Sequence, residues 1–142
     1  MAFDVERLLR LWTDPLPADE AAAAASFSAL YADPVMANGS SLTVSDLVAR
    51  ARGLQSAFER PESEVLAVAD AGDSVAVVFR LAGRQIGPLD TPAGRLPATG
   101  QRIELQIIDV LTLSAGRITE VRMVADWLGA LAVAGALHAL AG

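Results

Sequence analysis

QRIELQIIDVLTLSAGRITEVRMVADW, residues 101–127, is the stretch that decides the fold. Two apolar runs, residues 103–113 and 118–125, flank the segment Ser114-Ala115-Gly116. Such runs joined by a tight turn that contains glycine are typical of a β-hairpin. A charge buried in a sheet needs a partner or a function, so we expect the hairpin to help line a cavity. The polar residues within it are Glu104, Gln106, Asp109, Glu120, Arg122 and Asp126.

Length and composition restrict the class of protein. The 142 residues fit one domain, 1–142, with a single core. The net charge of −6 argues against nucleic acid as a partner, since phosphate binding needs a basic face. There is no cysteine and one histidine, which makes a metal site improbable and favours the cytoplasm. No apolar run is long enough to cross a membrane.

The first half of the chain reads as helices. Spacing and capping residues predict one helix over Asp4–Thr13 and a second over Ala18–Tyr31. A short extended piece, Val35–Asn38, follows. Hydroxyls over residues 41–46 then introduce a third amphipathic helix that continues to about Glu59.

The second half reads as strands. Glu64–Ala69 and Ser74–Arg84 predict a further hairpin, ahead of the one at residues 101–127. Gly87–Gly100 is rich in proline and glycine and predicts a long loop, which we interpret as a lid. A helix ends the chain, with Asp126 as its N-cap and His138 near its end. Helices followed by antiparallel strands indicate an α+β domain with a curved sheet wrapped around the N-terminal helices.

Four segments together resemble a known family: YADPVMANG, EVLAVADAGDSVAVVFRLAGRQIGPL, LPATGQRIELQIIDVLTLSAGRITEV and VADWLGAL. Their order and spacing resemble the SnoaL-like branch of the nuclear transport factor 2-like superfamily. Within it the chain is most similar to the small cyclases and epoxide hydrolases of polyether pathways, such as those acting on lasalocid and monensin precursors. The resemblance implies a conical α+β barrel, commonly a homodimer, with no cofactor and acid/base chemistry inside the cone.

The resemblance also points to particular positions. Polyether relatives carry two carboxylates, at the positions that match Asn38 and Glu64. Aromatic polyketide cyclases and limonene-type epoxide hydrolases carry an aspartate at or near the position that matches Met123. Asn38 and Met123 cannot exchange a proton at neutral pH, so this chain departs from both patterns.

Two carboxylates are the candidate catalytic residues. Glu64 begins an otherwise apolar strand, where desolvation would tune its pKa toward neutral; the alternative is a solvated charge at a strand end. Asp109 lies between Ile107-Ile108 and Val110-Leu111, which predicts burial. It either acts on a substrate hydroxyl or pairs across the sheet with an arginine, for which the candidates are Arg80, Arg84 and Arg122.

Six further residues are candidates for substrate binding. For each of the four aromatic residues, packing in the core is the alternative. For Asn38, which precedes Gly39, the alternative is a turn residue. The candidates are Asn38, Tyr31, Trp12, Phe79, Met123 and Trp127.

The predicted function is a cofactor-free cyclase or epoxide hydrolase of polyketide biosynthesis, an isomerase or hydrolase with a small-molecule polyketide substrate. In one mechanism Glu64 and Asp109 transfer protons while an epoxide opens and Asn38 holds the oxygen. In the other the pocket folds and desolvates the substrate, and orientation alone promotes ring closure. The alternative function is a non-catalytic module of the same fold, which binds a small molecule or serves in dimeric interaction.

Overall fold

The computed structural model describes residues 2–135, which form four helices and eight strands. His138 lies outside this range. The elements in chain order are α1 (Val5–Thr13), α2 (Glu20–Ser28), β1 (Tyr31–Ala37), β2 (Ser40–Leu42), α3 (Val44–Ala57), β3 (Phe58–Asp70), β4 (Ser74–Gln85), β5 (Leu89–Thr91), β6 (Gly94–Leu96), β7 (Arg102–Ser114), β8 (Arg117–Ala125) and α4 (Trp127–Val133).

The helices begin where capping chemistry predicts. Asp4 accepts a hydrogen bond from the Arg7 amide at the start of α1, as expected. Thr43 and Asp46 form a reciprocal capping box at the start of α3. The predicted end of α2 at Tyr31 is wrong, because the helix stops at Ser28 and Tyr31 already pairs with β8.

Six strands form one sheet in the order β2-β1-β8-β7-β4-β3, antiparallel except for the parallel pair β1–β8. The helices cover one side, hereafter the covered face, and the opposite side is the open face. Along β7 the buried residues Ile103, Leu105, Ile107 and Leu111 alternate with exposed ones, as a sheet with one packed face requires. The predicted α+β domain, with a curved sheet and N-terminal helices, is confirmed.

The hairpin predicted over residues 101–127 is present as β7 and β8. Its turn places Ala115 and Gly116 at φ 52° and 77°, the left-handed conformation that two-residue hairpin turns require. Strand pairing sets Met123 opposite Asp109 and Arg122 opposite Val110. Met123 therefore lies on the covered face and Arg122 on the open face, which answers the question of register that the sequence leaves open.

The strand β3 is longer than predicted. Helix α3 ends at Ala57, and the chain enters β3 directly at Phe58, six residues before the expected start at Glu64. Pro61 lies inside this strand at an irregularity between Glu59 and Glu62. Proline is tolerated there because β3 is an edge strand. The backbone on its outer side has no neighbouring strand to which an N–H group would donate a hydrogen bond.

The segment predicted as a loop and lid, Gly87–Gly100, contains the small hairpin β5–β6. The fully buried Gln85 holds it: its Nε2 donates to the carbonyl oxygens of Gly87, Leu96 and Pro97, and its Oε1 accepts from Thr99. Leu89 and Leu96 are buried as well. The segment is thus anchored to the core near both ends while its tip, residues 92–95, is exposed, and its role as a lid stays a prediction.

None of the helices in the part of the chain that the structure describes has the length and apolar character needed to span a bilayer.

Candidate active site

Asp109 is the carboxylate that the fold places inside the domain. It lies on the covered face of β7, between the buried residues Ile107 and Leu111. Its Oδ1 is buried and finds no hydrogen-bond partner among residues 2–135. Burial raises the pKa of Asp109 to about 6, because the charged form has lost its hydration. A carboxyl in this state exchanges protons near neutral pH, as a general acid or base must.

The alternative for Asp109, an ion pair with arginine, is wrong. Arg80 pairs with Glu64, and Arg122 with Glu120. Arg84 pairs with Glu59. Strand alternation explains the separation of Arg80 and Arg122 from Asp109, because their positions project to the open face.

Tyr31 and Trp12 form the polar wall near Asp109. The Trp12 indole Nε1 donates a 3.0 Å hydrogen bond to the Tyr31 hydroxyl, and Tyr31 is only 5% exposed. Burial raises the pKa of Tyr31 far above its usual range; the hydrogen bond from Trp12 lowers it, and the nearby charge of Asp109 raises it further. The phenol therefore stays neutral, and its own proton remains available to an acceptor.

The aromatic cluster also includes Phe27, which the sequence prediction missed as a site residue. Its ring stacks on Tyr31 at 5.9 Å and meets Trp12 edge-on at 5.3 Å. Tyr31 meets Trp12 edge-on at 6.5 Å. The spacing of four between Phe27 and Tyr31 was visible in the sequence, but there it indicated only neighbours on one helix. The cluster fixes the orientation of the Tyr31 hydroxyl.

Met123 lies on the covered face opposite Asp109, and Asn38 is bound to it from the turn between β1 and β2. Met123 is 43% exposed although it faces the same side as Asp109, so this part of the covered face is accessible among the described residues. Asn38 occupies the left-handed position, φ 49°, of the turn into β2, and its Oδ1 accepts from the Met123 amide at 2.8 Å. These contacts match the alternative that Asn38 is a turn residue. Its side-chain oxygen already accepts a hydrogen bond from the backbone of Met123.

Glu64 does not have the environment that the sequence predicts. Its side chain is 65% exposed on the open face and pairs with Arg80 at 3.1 Å. Strand pairing explains the position, because Glu64 lies opposite Arg80 while the adjacent Val65 lies opposite the buried Phe79. Glu64 and Asp109 therefore project from opposite faces of the sheet, and the expected pair of cooperating carboxylates is not assembled.

The remaining candidates are Phe79 on β4 and Trp127 on α4. Phe79 is buried on the covered face of β4, where it lies opposite Ile107. Ile107 is the neighbour of Asp109 on the same face of β7, two residues before it. Trp127 is the first residue of α4, which packs on β7, and it is half-buried against the core. Phe79 therefore contributes apolar surface near Asp109. Asp126 caps α4 through the Gly129 amide, as predicted.

A groove of about 300 Å³ lies between α1, the segment Pro15–Pro17 and α2. None of the residues predicted for the site lines it. It is a separate feature of the molecule.

Comparisons with known proteins agree with this architecture. The sequence model described as SnoaL-like polyketide cyclase matches residues 6–132. A search of curated proteins found no match. Among solved structures, TsrD from Streptomyces laurentii is similar with a TM-score of 0.75 at 19% identity, over 93% of this chain and 92% of that one.

Two further structures have the same fold. A candidate SnoaL-like polyketide cyclase from Jannaschia sp. CCS1 has a TM-score of 0.69 at 25% identity, over 93% of this chain and 91% of that one. IdmH, a candidate polyketide cyclase from Streptomyces antibioticus, has a TM-score of 0.70 at 17% identity, over 92% and 95%. Since the family match spans most of the sequence, the chain belongs to the SnoaL-like polyketide cyclase family.

Proposed function

We propose that the protein is a cofactor-free cyclase of a polyketide-type substrate and that Asp109 is its proton-transfer residue. The observation that carries the proposal is the buried Oδ1 of Asp109, which has no partner among the described residues and belongs to a carboxyl with a pKa of about 6. An unpaired buried carboxyl costs stability, and such groups concentrate at functional sites.

The chemistry needs one base and one hydrogen-bond donor. Ionised Asp109 takes the proton of a substrate hydroxyl, whose oxygen then attacks an electrophilic carbon. Tyr31, held by Trp12, donates its hydrogen bond to the oxygen on which negative charge develops. Aromatic and aliphatic walls orient the chain and exclude water.

The finer proposal concerns the electrophile. In an epoxide of polyether type, the hydroxyl oxygen forms a C–O bond while the epoxide C–O bond breaks. The proton of the attacking hydroxyl passes to Asp109, the released oxygen takes a proton from solvent, and Asp109 then returns its own proton to solvent. With an internal hydroxyl the outcome is an isomerised cyclic ether, and with water it is a diol. The proposal no longer assigns proton transfer to Glu64, because that side chain is exposed on the other face.

The test compares Asp109→Asn with Glu64→Gln on a polyketide that carries both a hydroxyl and an epoxide. We expect Asp109→Asn to lower kcat by a factor of about 10² to 10⁴, the usual contribution of general acid/base catalysis. Glu64→Gln is the matched carboxylate control and should keep wild-type turnover. Full turnover by Asp109→Asn would exclude proton transfer by Asp109 and would favour the mechanism in which the pocket only orients the substrate. Release of a bound ligand unchanged from both variants and wild type would instead favour the non-catalytic module.

We also propose that the protein is a homodimer that packs through the open face of the sheet. Val78, Ile108 and Val124 are cross-strand neighbours in one row across β4, β7 and β8. Ile108 is 44% and Val124 72% exposed, and Val110 on the next row is exposed too. A contiguous apolar row on an otherwise acidic protein is a surface that a second copy can cover.

A further inference from the structure

The groove beside α1 is built before any ligand arrives. Gln55 on α3 donates from Nε2 to the carbonyl oxygens of Trp12 and Asp14 and accepts at Oε1 from the Leu16 amide. Arg52 adds a 2.7 Å hydrogen bond to the Pro17 carbonyl. These contacts fix the segment between α1 and α2, which forms one wall. A preformed wall lowers the entropic cost of binding.

The lining has two chemical halves. Arg7 and Arg10, hereafter the basic pair, are exposed residues three apart on α1, and neither forms an ion pair within residues 2–135. The apolar half, hereafter the leucine floor, consists of Leu11, Leu16 and Leu30. Two unpaired guanidinium groups at one groove favour an anion there locally, against the net charge of −6 that the whole chain carries.

We propose that this groove binds an amphiphilic carboxylate, with the head group on the basic pair and the aliphatic chain on the leucine floor. Guanidinium groups bind carboxylates through paired, charge-assisted hydrogen bonds. The volume of about 300 Å³ is at the small end of ligand sites, which suits an unbranched chain of moderate length. The acidic side chain of Asp14 also borders the groove and opposes the anion. This site is distinct from the one at Asp109.

Decanoate, 1-decanol and acetate are the probes, measured by isothermal titration calorimetry on the full chain. We expect decanoate to bind and both decanol and acetate to bind at least about tenfold more weakly, since each lacks half of the required chemistry. Equal binding of decanoate and decanol would overturn the proposal, as would no binding of decanoate.

Variants separate the basic pair from general charge effects. The double variant Arg7→Gln/Arg10→Gln should weaken decanoate binding about tenfold or more, the size expected for a lost charge-assisted contact. Arg117→Gln removes an exposed arginine in the β7–β8 hairpin and should leave the affinity unchanged. Asp14→Asn should strengthen binding. Equal losses in the double variant and in Arg117→Gln would overturn the assignment.

Amide chemical shifts locate the ligand. Decanoate should move the resonances of Leu11, Leu16 and Ser26, which line the groove, and leave that of Met123 in place. Shifts at Met123 without shifts at Leu16 would place the ligand near Asp109 and overturn the groove proposal, while leaving the proposed catalytic role of Asp109 intact.

Discussion

At the scale of single residues, sequence reasoning identified the partly buried Asp109 and misjudged Glu64. Asp109 was predictable because apolar residues flank it on both sides, and Ile107 and Leu111, which share its face, are indeed buried. Glu64 looked similar, yet its face is set by the pairing of β3 with β4, which places it opposite Arg80. Pairing register is set by tertiary contacts, and one step reverses the face of every side chain.

The unpaired charge of Asp109 predicts a pH-dependent stability. Its pKa is about 6 in the folded protein against 3.8 as the ordinary value, so folding favours the protonated form. The folded state is therefore penalised as pH rises from about 4 through 6, by up to roughly 3 kcal/mol. Asp109→Asn removes this penalty. Its unfolding free energy relative to wild type, from urea titrations, should increase between pH 4 and pH 8, and a constant difference would contradict the burial of the charge.

Activity should follow the opposite pH dependence, since a base must be ionised. For the wild type, kcat/KM should rise with pH through about 6 and then level off, as the titration of Asp109 requires. The check is a pH–rate profile on the hydroxy-epoxide substrate. A rate that falls over the same range would instead assign Asp109 the role of general acid.

Tyr31→Phe tests the proposed hydrogen-bond donor. The ring and its stacking on Phe27 remain, while the hydroxyl that accepts from Trp12 is lost. We expect kcat to fall by about 10²-fold with a small change in KM, because the donor acts mainly on the charge that develops during reaction. Trp12→Phe removes the indole N–H together with part of the ring volume that packs on Phe27 and Tyr31, and it should lower kcat by less than Tyr31→Phe. A change confined to KM would assign Tyr31 to substrate binding alone.

At the scale of elements, capping residues and the turn sequence predicted the helix starts and the β7–β8 hairpin. The end of α2 and the start of β3 differ from the prediction because they depend on pairing between distant strands. The parallel pairing of β1 with β8 draws Tyr31 out of a predicted helix and places it near Asp109. The prediction of a loop at Gly87–Gly100 rested on proline and glycine content. It missed Gln85, whose buried amide organises the segment through contacts that no local pattern records.

Gln85→Leu should destabilise the protein by about 3 kcal/mol, because it leaves buried carbonyl groups and the Thr99 hydroxyl without their partner. Urea titration measures the change. Gln106→Leu, an exposed position on β7, is the matched control and should change stability by less than about 0.5 kcal/mol. Equal effects of the two substitutions would contradict the structural role of Gln85.

At the scale of the whole molecule, the family and the α+β fold followed from the order of the segments, because that order reflects the entire topology. Oligomeric state depends on which residues form a surface patch. The residues of such a patch come from different strands, so a single sequence indicates the patch less clearly than it indicates the core. The apolar row of the open face became visible only after pairing had aligned Val78, Ile108 and Val124.

The double variant Ile108→Arg/Val124→Arg tests that surface. We expect light scattering after size exclusion to give twice the 14.8 kDa chain mass for the wild type and the single mass for the variant, since charge repulsion and lost apolar contact both oppose association. Ile86→Arg places the same charge at an exposed isoleucine outside the row and should remain dimeric. A wild-type monomer would contradict the homodimer.

The central claim is that the domain contains a desolvated carboxyl at Asp109 that exchanges its proton near neutral pH. The most direct measurement follows the ¹³C shift of aspartate side-chain carboxyl carbons by NMR from pH 3 to pH 9, with Asp109→Asn for assignment. The structure predicts a midpoint near pH 6 that is absent from the variant. A midpoint near 4 for Asp109 would mean that the side chain is hydrated, and would contradict the account.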